Sequence, residues 1–375
     1  GRGNLLANAY AEGDNKNTKT KAVGNINITT KSNKNGQQDK IYGMYNGAPV
    51  SQVSYIYNAA VINDNSSAEG KINITSEKYA VNEIYGIYAS NDDNQTGDGT
   101  GTEKIIYNAY YSNEDNTKSG GNVLGEINIK NNKMSSGAGV KYYGMYIKDG
   151  YAYNASSTKN TANVIGKINV DVVGGQTGEA VGMYGINSTL DNSGNSEIQV
   201  SVQAANNKAY GIYGHNSQIY NNALINVSSK EYDAYGIYAD KGTVVNDENG
   251  IIKVKGKNNA YGIYAVSGEV EGEEVSVINK GTIELNGSSN NIGIYASGPK
   301  AKVENTNTGI IKINGTNNKI ICDNDPNCDK NVAIKLENGA TLMQAGTLST
   351  DGSLNFADIG GNVVLSQGGK FIAEE

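Results

Sequence analysis

Tryptophan is absent from this chain of 375 residues, phenylalanine occurs twice and proline three times. A hydrophobic core without large apolar rings must be thin, and Ile, Val, Leu, Met and Ala must fill it. Arginine occurs only at Arg2 and the formal net charge is −7. Both features argue against a nucleic-acid partner, which needs a clustered basic surface. No apolar run approaches the ~20 residues that span a bilayer, and no signal peptide opens the chain, so we expect a mature segment of a longer protein.

Histidine is nearly absent too, since His215 is the only one. A Ser-His-Asp arrangement therefore has at most one candidate base, which lies in a predicted turn. A glycosidase needs two carboxylates ~5–10 Å apart in a groove, whereas the acidic residues here are scattered over predicted loops. The sequence therefore predicts a protein that is not an enzyme and binds no cofactor.

Only two cysteines are present, Cys322 and Cys328, in the segment ICDNDPNCDK. Their spacing permits a small loop closed by a disulfide, which is expected in an oxidising or extracellular setting. Two free thiols are the alternative. Zinc is not expected, because the CxxC spacing is missing and only one histidine exists.

What the chain does contain is a repeated phrase of two tyrosines around a glycine. The hexapeptide AYGIYA occurs at 234–239 and again at 260–265. A recurrence after a few tens of residues is typical of stacked structural units. Related copies are IYGMY (41–45), IYGIYA (84–89), YYGMY (142–146), AVGMY (180–184), AYGIYG (209–214) and NIGIYA (291–296).

Two further patterns accompany the phrase in a fixed order. One carries an asparagine, as in SVIN (276–279), and the other alternates Ile or Val with a polar residue, as in IKV (252–254). Strict alternation predicts a half-buried strand. Three such short strands cannot bury a core alone, so each must pair in parallel with its counterpart one repeat along, about 4.8 Å away. The sequence predicts an all-β fold, a parallel β-helix or solenoid of about ten coils with three strands each.

The asparagines of the second pattern are predicted to stack at one corner of successive coils. An amide side chain donates and accepts, so each can bond to the copies above and below it and satisfy a buried bend. We interpret this ladder as structural. Its predicted members are Asn58, Asn108, Asn154, Asn192, Asn221, Asn246, Asn279 and Asn305.

The YGIY phrases predict a stripe of stacked tyrosine rings. If the strand alternates strictly, its first residue and its Ile or Met face inward, while Gly and the second Tyr face outward and leave a shallow groove. Such a surface suits sugar rings or an apolar patch of a partner, and stacking that only stabilises the sheet is the alternative. Tyr45, Tyr88, Tyr146 and Tyr184 are the ligand-binding candidates, followed in the stripe by Tyr213, Tyr238, Tyr264 and Tyr295.

The phrases are further apart in the first part of the chain, which indicates insertions. The main ones are 32–40, 90–104, 112–122 and 131–141. In solenoids such loops lie on one flank, often the recognising one, although polar loops are also tolerated at little entropic cost. We expect one β-helix over 1–375, divided into coils with long insertions (1–200), regular short coils (201–317), a Cys-closed loop (318–331) and C-terminal coils (332–375).

The insertion 90–104 carries the acidic candidates Asp92, Asp93 and Asp98. From Asp92 onward it partly follows the calcium-loop template. Strands instead of helices flank it, however, and Thr and Gly stand at the fifth and eighth positions. We therefore predict no metal site, with calcium as the alternative, and keep these aspartates as candidates for ligand binding.

The YGIY and YGMY phrases between Asn-rich Ile strands, from Leu5 to Leu365, resemble the passenger domain of a Gram-negative type V autotransporter adhesin. The style is similar to that of the large fusobacterial outer-membrane adhesins. The resemblance implies a right-handed β-helix on the cell surface that attaches to host cells or other bacteria. Its partner would be a host receptor protein or a glycan. It also implies an outer-membrane anchor, a translocator that this chain does not contain, and we expect a monomer.

Three hypotheses for function follow. In the first, the segment itself binds, through its insertions or its tyrosine stripe. In the second, it is a stalk that binds nothing and projects a distal tip. In the third, it is a β-helical polysaccharide lyase or hydrolase that depends on particular carboxylates.

Overall fold

A computed structural model of the chain describes most of its residues. All regular structure in these residues is β, and none of them is helical. The strands form three rows in which each strand pairs in parallel with its counterpart in the next coil. The predicted parallel β-helix is therefore confirmed. The described residues are 5–12, 20–30, 39–47, 53–62, 66–76, 81–90, 103–112, 121–131, 139–158, 162–174, 178–203, 207–314, 318–323, 328, 331–351, 354–355, 363–365 and 370–374.

The isoleucine row, named after the residue that repeats in it, is an 11-stranded sheet. One strand per coil gives eleven coils, close to the number expected from the repeats. The row consists of β2 (Lys21–Thr30), β5 (Ser67–Ser76), β8 (Asn122–Asn131), β11 (Asn163–Val172), β14 (Glu197–Val202), β16 (Leu224–Ser229), β18 (Ile251–Lys255), β21 (Thr282–Leu285), β24 (Ile310–Ile313), β28 (Thr347–Asp351) and β31 (Lys370–Glu374).

The other two rows belong to one 20-stranded sheet, because two long strands run through both of them. The tyrosine row contains β3 (Asp39–Asn46), β6 (Val81–Ser90), β9 (Lys141–Lys148), β12 (Gly178–Ile186), β15 (Asn207–Asn221), β17 (Ala234–Asn246), β19 (Asn259–Val266), β22 (Asn290–Ser297), β25 (Asn318–Asp323), β26 (Val332–Glu337) and β29 (Leu354–Asn355). The ladder row contains the second halves of β15 and β17 together with β1 (Leu5–Glu12), β4 (Ser54–Ile62), β7 (Lys104–Ser112), β10 (Gly150–Ser157), β13 (Thr189–Asn192), β20 (Val275–Asn279), β23 (Ala301–Asn305), β27 (Thr341–Gln344) and β30 (Val363–Leu365).

The main core, which is mostly aliphatic and includes the buried ring of Tyr142, runs through the coils from Met44 to Leu348. A smaller core that includes the buried Tyr111 lies in the N-terminal coils. In one coil Ile237, Val244 and Ile252 come from the three rows and are all fully buried. Each such side chain contributes about 1.5–3 kcal/mol, but only while the neighbouring coils cover it.

The predicted asparagine ladder is present and continuous. Each Asn Nδ2 donates to the Oδ1 of the next coil over 2.8–2.9 Å, and all eight predicted members are fully buried. Asn8 adds a rung before them, donating to Asn58, and Gln344 adds one after them, accepting from Asn305. The Gln344 Nε2 donates back to the Gly346 carbonyl. The ladder ends there because Leu365 occupies the next corner.

The glycine of the YGIY phrase faces the core and not the solvent, contrary to the sequence prediction. A methyl group at Gly236 would overlap the Cγ2 methyl of Ile252 and lie 2.5 Å from the Gly262 carbonyl oxygen. All eight glycines of the phrase, Gly236 included, show this overlap with an isoleucine: Gly43, Gly86, Gly144, Gly182, Gly211, Gly236, Gly262 and Gly293. Glycine and the following Ile or Met therefore both face inward, and the strict alternation of the strand breaks at this point.

The corner between the tyrosine row and the ladder row has a left-handed backbone. Asp149, Asn187, Asn216 and Lys241 have φ between 47° and 63°. Asn216 donates to Asn187 over 2.9 Å and Asn187 donates to Asp149 over 3.1 Å, so these side chains form a second, exposed ladder. Asn and Asp tolerate this conformation because their side chains bond locally.

The insertions are not anchored on one flank. The insertions 32–40 and 131–141 lead from the isoleucine row to the tyrosine row, whereas 90–104 leads to the ladder row. The insertion 112–122 leads from the ladder row to the isoleucine row. At the base of 90–104, the buried Lys104 donates to the backbone carbonyls of Asn46 and Ser90, a contact that the sequence did not suggest.

A disulfide links Cys322 and Cys328, as expected, and both are buried. The segment 318–331 is more than a loop, because its first six residues form β25. This strand pairs with β26 on the side opposite β22, so it lies outside the strand that follows it in sequence.

We expect Asn246→Ala to lower the free energy of unfolding by about 1–3 kcal/mol. The change leaves the Asn221 donor and the Asn279 acceptor without their partner inside the protein. Urea unfolding followed by circular dichroism measures the effect. Asn226→Ala, on the outward side of β16, is the matched control and should be close to neutral. Equal effects of the two changes would contradict the ladder's role.

Gly236→Ala should destabilise the chain by about 2–3 kcal/mol, because the added methyl group overpacks the core. Gly214→Ala is the matched control, since Gly214 is in register with Ala239 and its nearest neighbour is the end of the Ile219 side chain. Adding Ile252→Leu, which removes the β-branched methyl, should restore part of the loss. Urea midpoints of the three variants test this, and equal midpoints for Gly236→Ala and Gly214→Ala would contradict it.

Candidate functional site

The eight predicted outward tyrosines form a continuous stack on the outside of the tyrosine row, which we call the outer file. Neighbouring ring centroids are 4.4–5.3 Å apart and the rings are inclined by only 5–17°. The seven steps give the outer file a length of about 34 Å, because successive coils are about 4.8 Å apart. The file consists of Tyr45, Tyr88, Tyr146, Tyr184, Tyr213, Tyr238, Tyr264 and Tyr295.

A second set of rings, the inner file, lies beside the outer file on the same face. Its rings stack 4.8–5.0 Å apart and meet the outer file edge to face, as Tyr261 meets Tyr264 at 87°. Val181 interrupts it. The prediction that the first residue of the phrase faces inward is therefore wrong, because the inward Gly–Ile pair turns both tyrosines outward. The inner file consists of Tyr42, Tyr85, Tyr143, Tyr210, Tyr235 and Tyr261. Together the two files are the tyrosine column.

The stacking leaves no room for a sugar ring between neighbouring tyrosines. The column therefore presents ring edges and hydroxyl groups to solvent, and the expected groove of glycines beside it does not exist. Tyr45, the first ring of the outer file, is 50% exposed. The structure thus brings Tyr45, Tyr88, Tyr146 and Tyr184 together, but not as separate aromatic platforms.

Carboxylates accept hydrogen bonds from tyrosine hydroxyls of the column. Tyr85 donates to Glu83 over 2.9 Å. Tyr143 donates to Glu179 and Tyr295 donates to Glu337, each over 2.6 Å. Burial opposes ionisation of Glu83, but hydrogen bonds from Lys40 and Tyr85 outweigh it and lower its pKa. The column is therefore bordered by carboxylates that accept hydrogen bonds from its rings.

A smaller group of tyrosines lies on the ladder row in the N-terminal coils. Tyr57, Tyr107 and Tyr153 stack at 5.3 and 5.0 Å, and Tyr110 packs against Tyr107. Their signal in the sequence is the tyrosine before the asparagine in each YNA segment. The sequence predictions for this row covered only the asparagines and not these tyrosines. Burial raises the pKa of Tyr57 and of Tyr107.

A polar groove of about 380 Å³ lies along the left-handed corner. No sequence motif marks this groove, because its residues come from several coils. Asp149 accepts from Asn187 over 3.1 Å and Glu103 accepts from the Tyr151 hydroxyl over 3.5 Å. No cationic side chain lines it among the described residues. The lining comprises Glu103, Asp149, Gly150, Tyr151, Asn187, Ser188, Thr189, Asn216 and Gln218.

The single histidine lies next to this corner. His215 Nδ1 is 2.8 Å from Asp240 Oδ2, one coil along. The Ser217 hydroxyl donates to the backbone carbonyl of His215 and not to its ring. The pair therefore joins two coils and does not form a nucleophile–base arrangement.

The acidic candidates Asp92, Asp93 and Asp98 lie outside the described residues. In the part of the chain that the structure describes, no three His, Cys, Asp or Glu side chains are grouped closely enough to hold a metal ion. The same residues contain no helix with the length and hydropathy of a membrane span.

Fold and surfaces define this chain as a parallel β-solenoid with two candidate binding surfaces, the tyrosine column and the corner groove. No protein-family model, curated protein or solved structure matches the chain. Its function is therefore inferred from its own residues.

We expect the chain to lose stability as the pH rises from about 10 to about 12. Burial raises the pKa of Tyr238 to about 12, whereas an unfolded tyrosine titrates near 10. In this window the folded chain keeps a proton that the unfolded chain has lost, so rising pH favours unfolding. Tyrosinate absorbance and circular dichroism, recorded together during an alkaline titration, measure this. Complete tyrosine ionisation near pH 10 with an unchanged β signal would contradict it.

Proposed function

We propose that this chain is a cell-surface adhesin segment that itself binds a glycan, and so attaches the cell to host cells or other bacteria. The observation that carries the proposal is the corner groove, which combines two carboxylates, three side-chain amides and a tyrosine ring where the tyrosine row meets the ladder row. A few convergent polar groups on a preformed surface are typical of ligand sites.

The chemistry of the groove favours a neutral sugar. Sugar hydroxyls donate to the Asp149 and Glu103 carboxylates, and the amides of Asn187 and Asn216 can both donate and accept. An acidic sugar would meet two like charges and no described cation in the lining. The apolar face of a sugar ring can pack on Tyr151, which is not enclosed in the stacked files.

The tyrosine column supports an adhesive role in a different way. Its ring edges and hydroxyls form a rigid, periodic surface about 34 Å long, which can contact a protein receptor through hydrogen bonds and apolar edges. Because its rungs are nearly identical, the column adds contact area but does not discriminate between partners. We therefore assign selectivity to the groove and additional contact area to the column.

The remaining features are consistent with exposure outside the cell. The disulfide of Cys322 and Cys328 persists in an oxidising setting. The resemblance of the sequence to autotransporter adhesins adds attachment to the outer membrane to this proposal. We propose a monomeric passenger segment that binds without turnover, and a non-binding stalk is the second candidate because the fold is elongated and uniform.

The test uses the intact chain on a glycan array and in a cell-attachment assay. Asp149→Asn removes one charge and keeps a residue that the next two coils already hold in the same left-handed conformation. We expect about tenfold weaker glycan binding, since a hydrogen bond to a charged group is worth about 1.5–3 kcal/mol. Glu284→Gln, on the isoleucine row beside Lys253, is the matched control and should bind normally.

The other outcomes separate the hypotheses. No binding to glycans or cells by the intact chain would support the stalk and reject the proposal. Binding that survives Asp149→Asn and Glu103→Gln but is lost on replacing Asp92, Asp93 and Asp98 by asparagine would move the site to the insertion. Release of shortened glycans that Glu103→Gln abolishes would establish an enzyme.

A further inference from the structure

The tyrosine column combines features that favour oxidation at its rings. The chain has no tryptophan, and its two cysteines are joined in a disulfide. Tyrosine is therefore its most abundant oxidisable side chain, with 26 copies against five methionines. Fourteen of the 26 stand in the two files, where each ring touches at least one other.

Ring orientation distinguishes contacts between coils from contacts within a coil. Along the outer file the rings of consecutive coils are parallel within 17°, and Tyr264 and Tyr295 are the closest pair at 4.4 Å. Within a coil the two rings are inclined by 59° at Tyr42 and Tyr45 and by 73–87° in the other coils, as for Tyr261 and Tyr264 at 87°. Parallel rings in register place the carbons ortho to the two hydroxyls above one another. Rings of consecutive coils in the outer file have this arrangement, whereas the outer and inner rings of one coil do not.

The column also provides proton acceptors and an entry point. A tyrosine that loses an electron must release its phenolic proton. Glu337 already accepts a hydrogen bond from Tyr295 of the outer file, and Glu83 and Glu179 accept from inner-file rings beside it. Tyr45 is half exposed at one end of the outer file and stacks on Tyr88 at 5.3 Å. A radical formed at an exposed ring can therefore move along the file by exchange between neighbouring rings.

We propose that the tyrosine column is a site of oxidative cross-linking, in which an oxidant joins outer-file rings of consecutive coils as dityrosine. Each of two tyrosines loses one electron and its phenolic proton, giving two phenoxyl radicals. The radicals couple through a carbon–carbon bond ortho to the hydroxyls, and the two ring hydrogens move to the oxygens. With hydrogen peroxide and a haem peroxidase as oxidant, two tyrosines and one peroxide give one dityrosine and two water molecules.

Such a bond would fasten one coil to the next from outside. The coils are otherwise held together by the core, the amide ladder and strand pairing. A covalent link between Tyr264 and Tyr295 closes a short loop and opposes the separation of these two coils. Cross-linked chain should therefore unfold at a higher urea concentration than untreated chain.

The experiment oxidises the dilute, intact chain with photogenerated ruthenium(III) tris-bipyridine and persulfate. Cleavage after lysine places Tyr238, Tyr264 and Tyr295 on the separate peptides 231–241, 258–280 and 281–300. We expect mass spectrometry to find 258–280 joined to each of the other two, with the loss of two hydrogen atoms per link. Fragmentation should locate the links at the outer-file tyrosines.

Two variants and one condition make the result decisive. Tyr264→Phe keeps the ring but removes the oxidisable hydroxyl, so both links should fall at least tenfold. Tyr220→Phe is the matched control, because Tyr220 is 37% exposed and no described tyrosine ring lies against it, and it should leave the links unchanged. In concentrated urea the links should lose their preference for consecutive coils.

Several results would overturn the proposal. One is dityrosine found only between molecules, as dimers on a denaturing gel. Another is oxidation concentrated at Tyr220 with an unmodified column. A third is the same set of links in folded and urea-unfolded chain.

Discussion

The register between coils is the constraint on which the rest of the structure depends, and the buried amide ladder enforces it. A slip of one residue would pair Asn246 with Ile278 or Lys280 instead of Asn279 and take from its donor and acceptor the amide partners that they have in the ladder. Because β17 and β19 are held in register, Tyr238 lies over Tyr264 and Ile237 over Ile263. Stacking of like on like is thus a consequence of the backbone register, and each row repeats its own chemistry along the solenoid.

Within a coil, the contact between glycine and isoleucine decides which side chains reach the surface. The Ile252 methyl fills the space that a side chain at position 236 would need. Two consecutive inward residues then shift the pattern of the strand, so that tyrosines on both sides of the pair face outward. In register with Gly293 and Ile311, the next coil carries Ala333 and Leu348 instead of glycine and isoleucine. Alanine thus replaces glycine in the coil where leucine, which lacks the β-branched methyl group, replaces isoleucine.

The sequence predicted the features that depend on repetition and missed those that depend on local exceptions. The three rows repeat along the chain and the ladder repeats from Asn8 to Gln344, so a single chain contains many independent copies of the signal. The orientation of Tyr235 was mispredicted because strict alternation was assumed across Gly236. The corner groove was not predicted, since Glu103, Asp149 and Asn216 come from different coils and share no motif. Left-handed backbone at Lys241 has no sequence signal comparable to glycine.

The contrast between repeated and unique residues also bears on where selectivity can arise. A ligand shifted by one coil along the outer file meets the same rings at the same spacing, so the column cannot fix the position of a partner. The left-handed corner differs from rung to rung, with Asp149 followed by Asn187, Asn216 and, beyond the groove lining, Lys241. Its carboxylate end therefore has a chemistry that no neighbouring rung duplicates. Uniform rows provide rigidity and contact area, and discrimination between ligands arises where the repeat is broken.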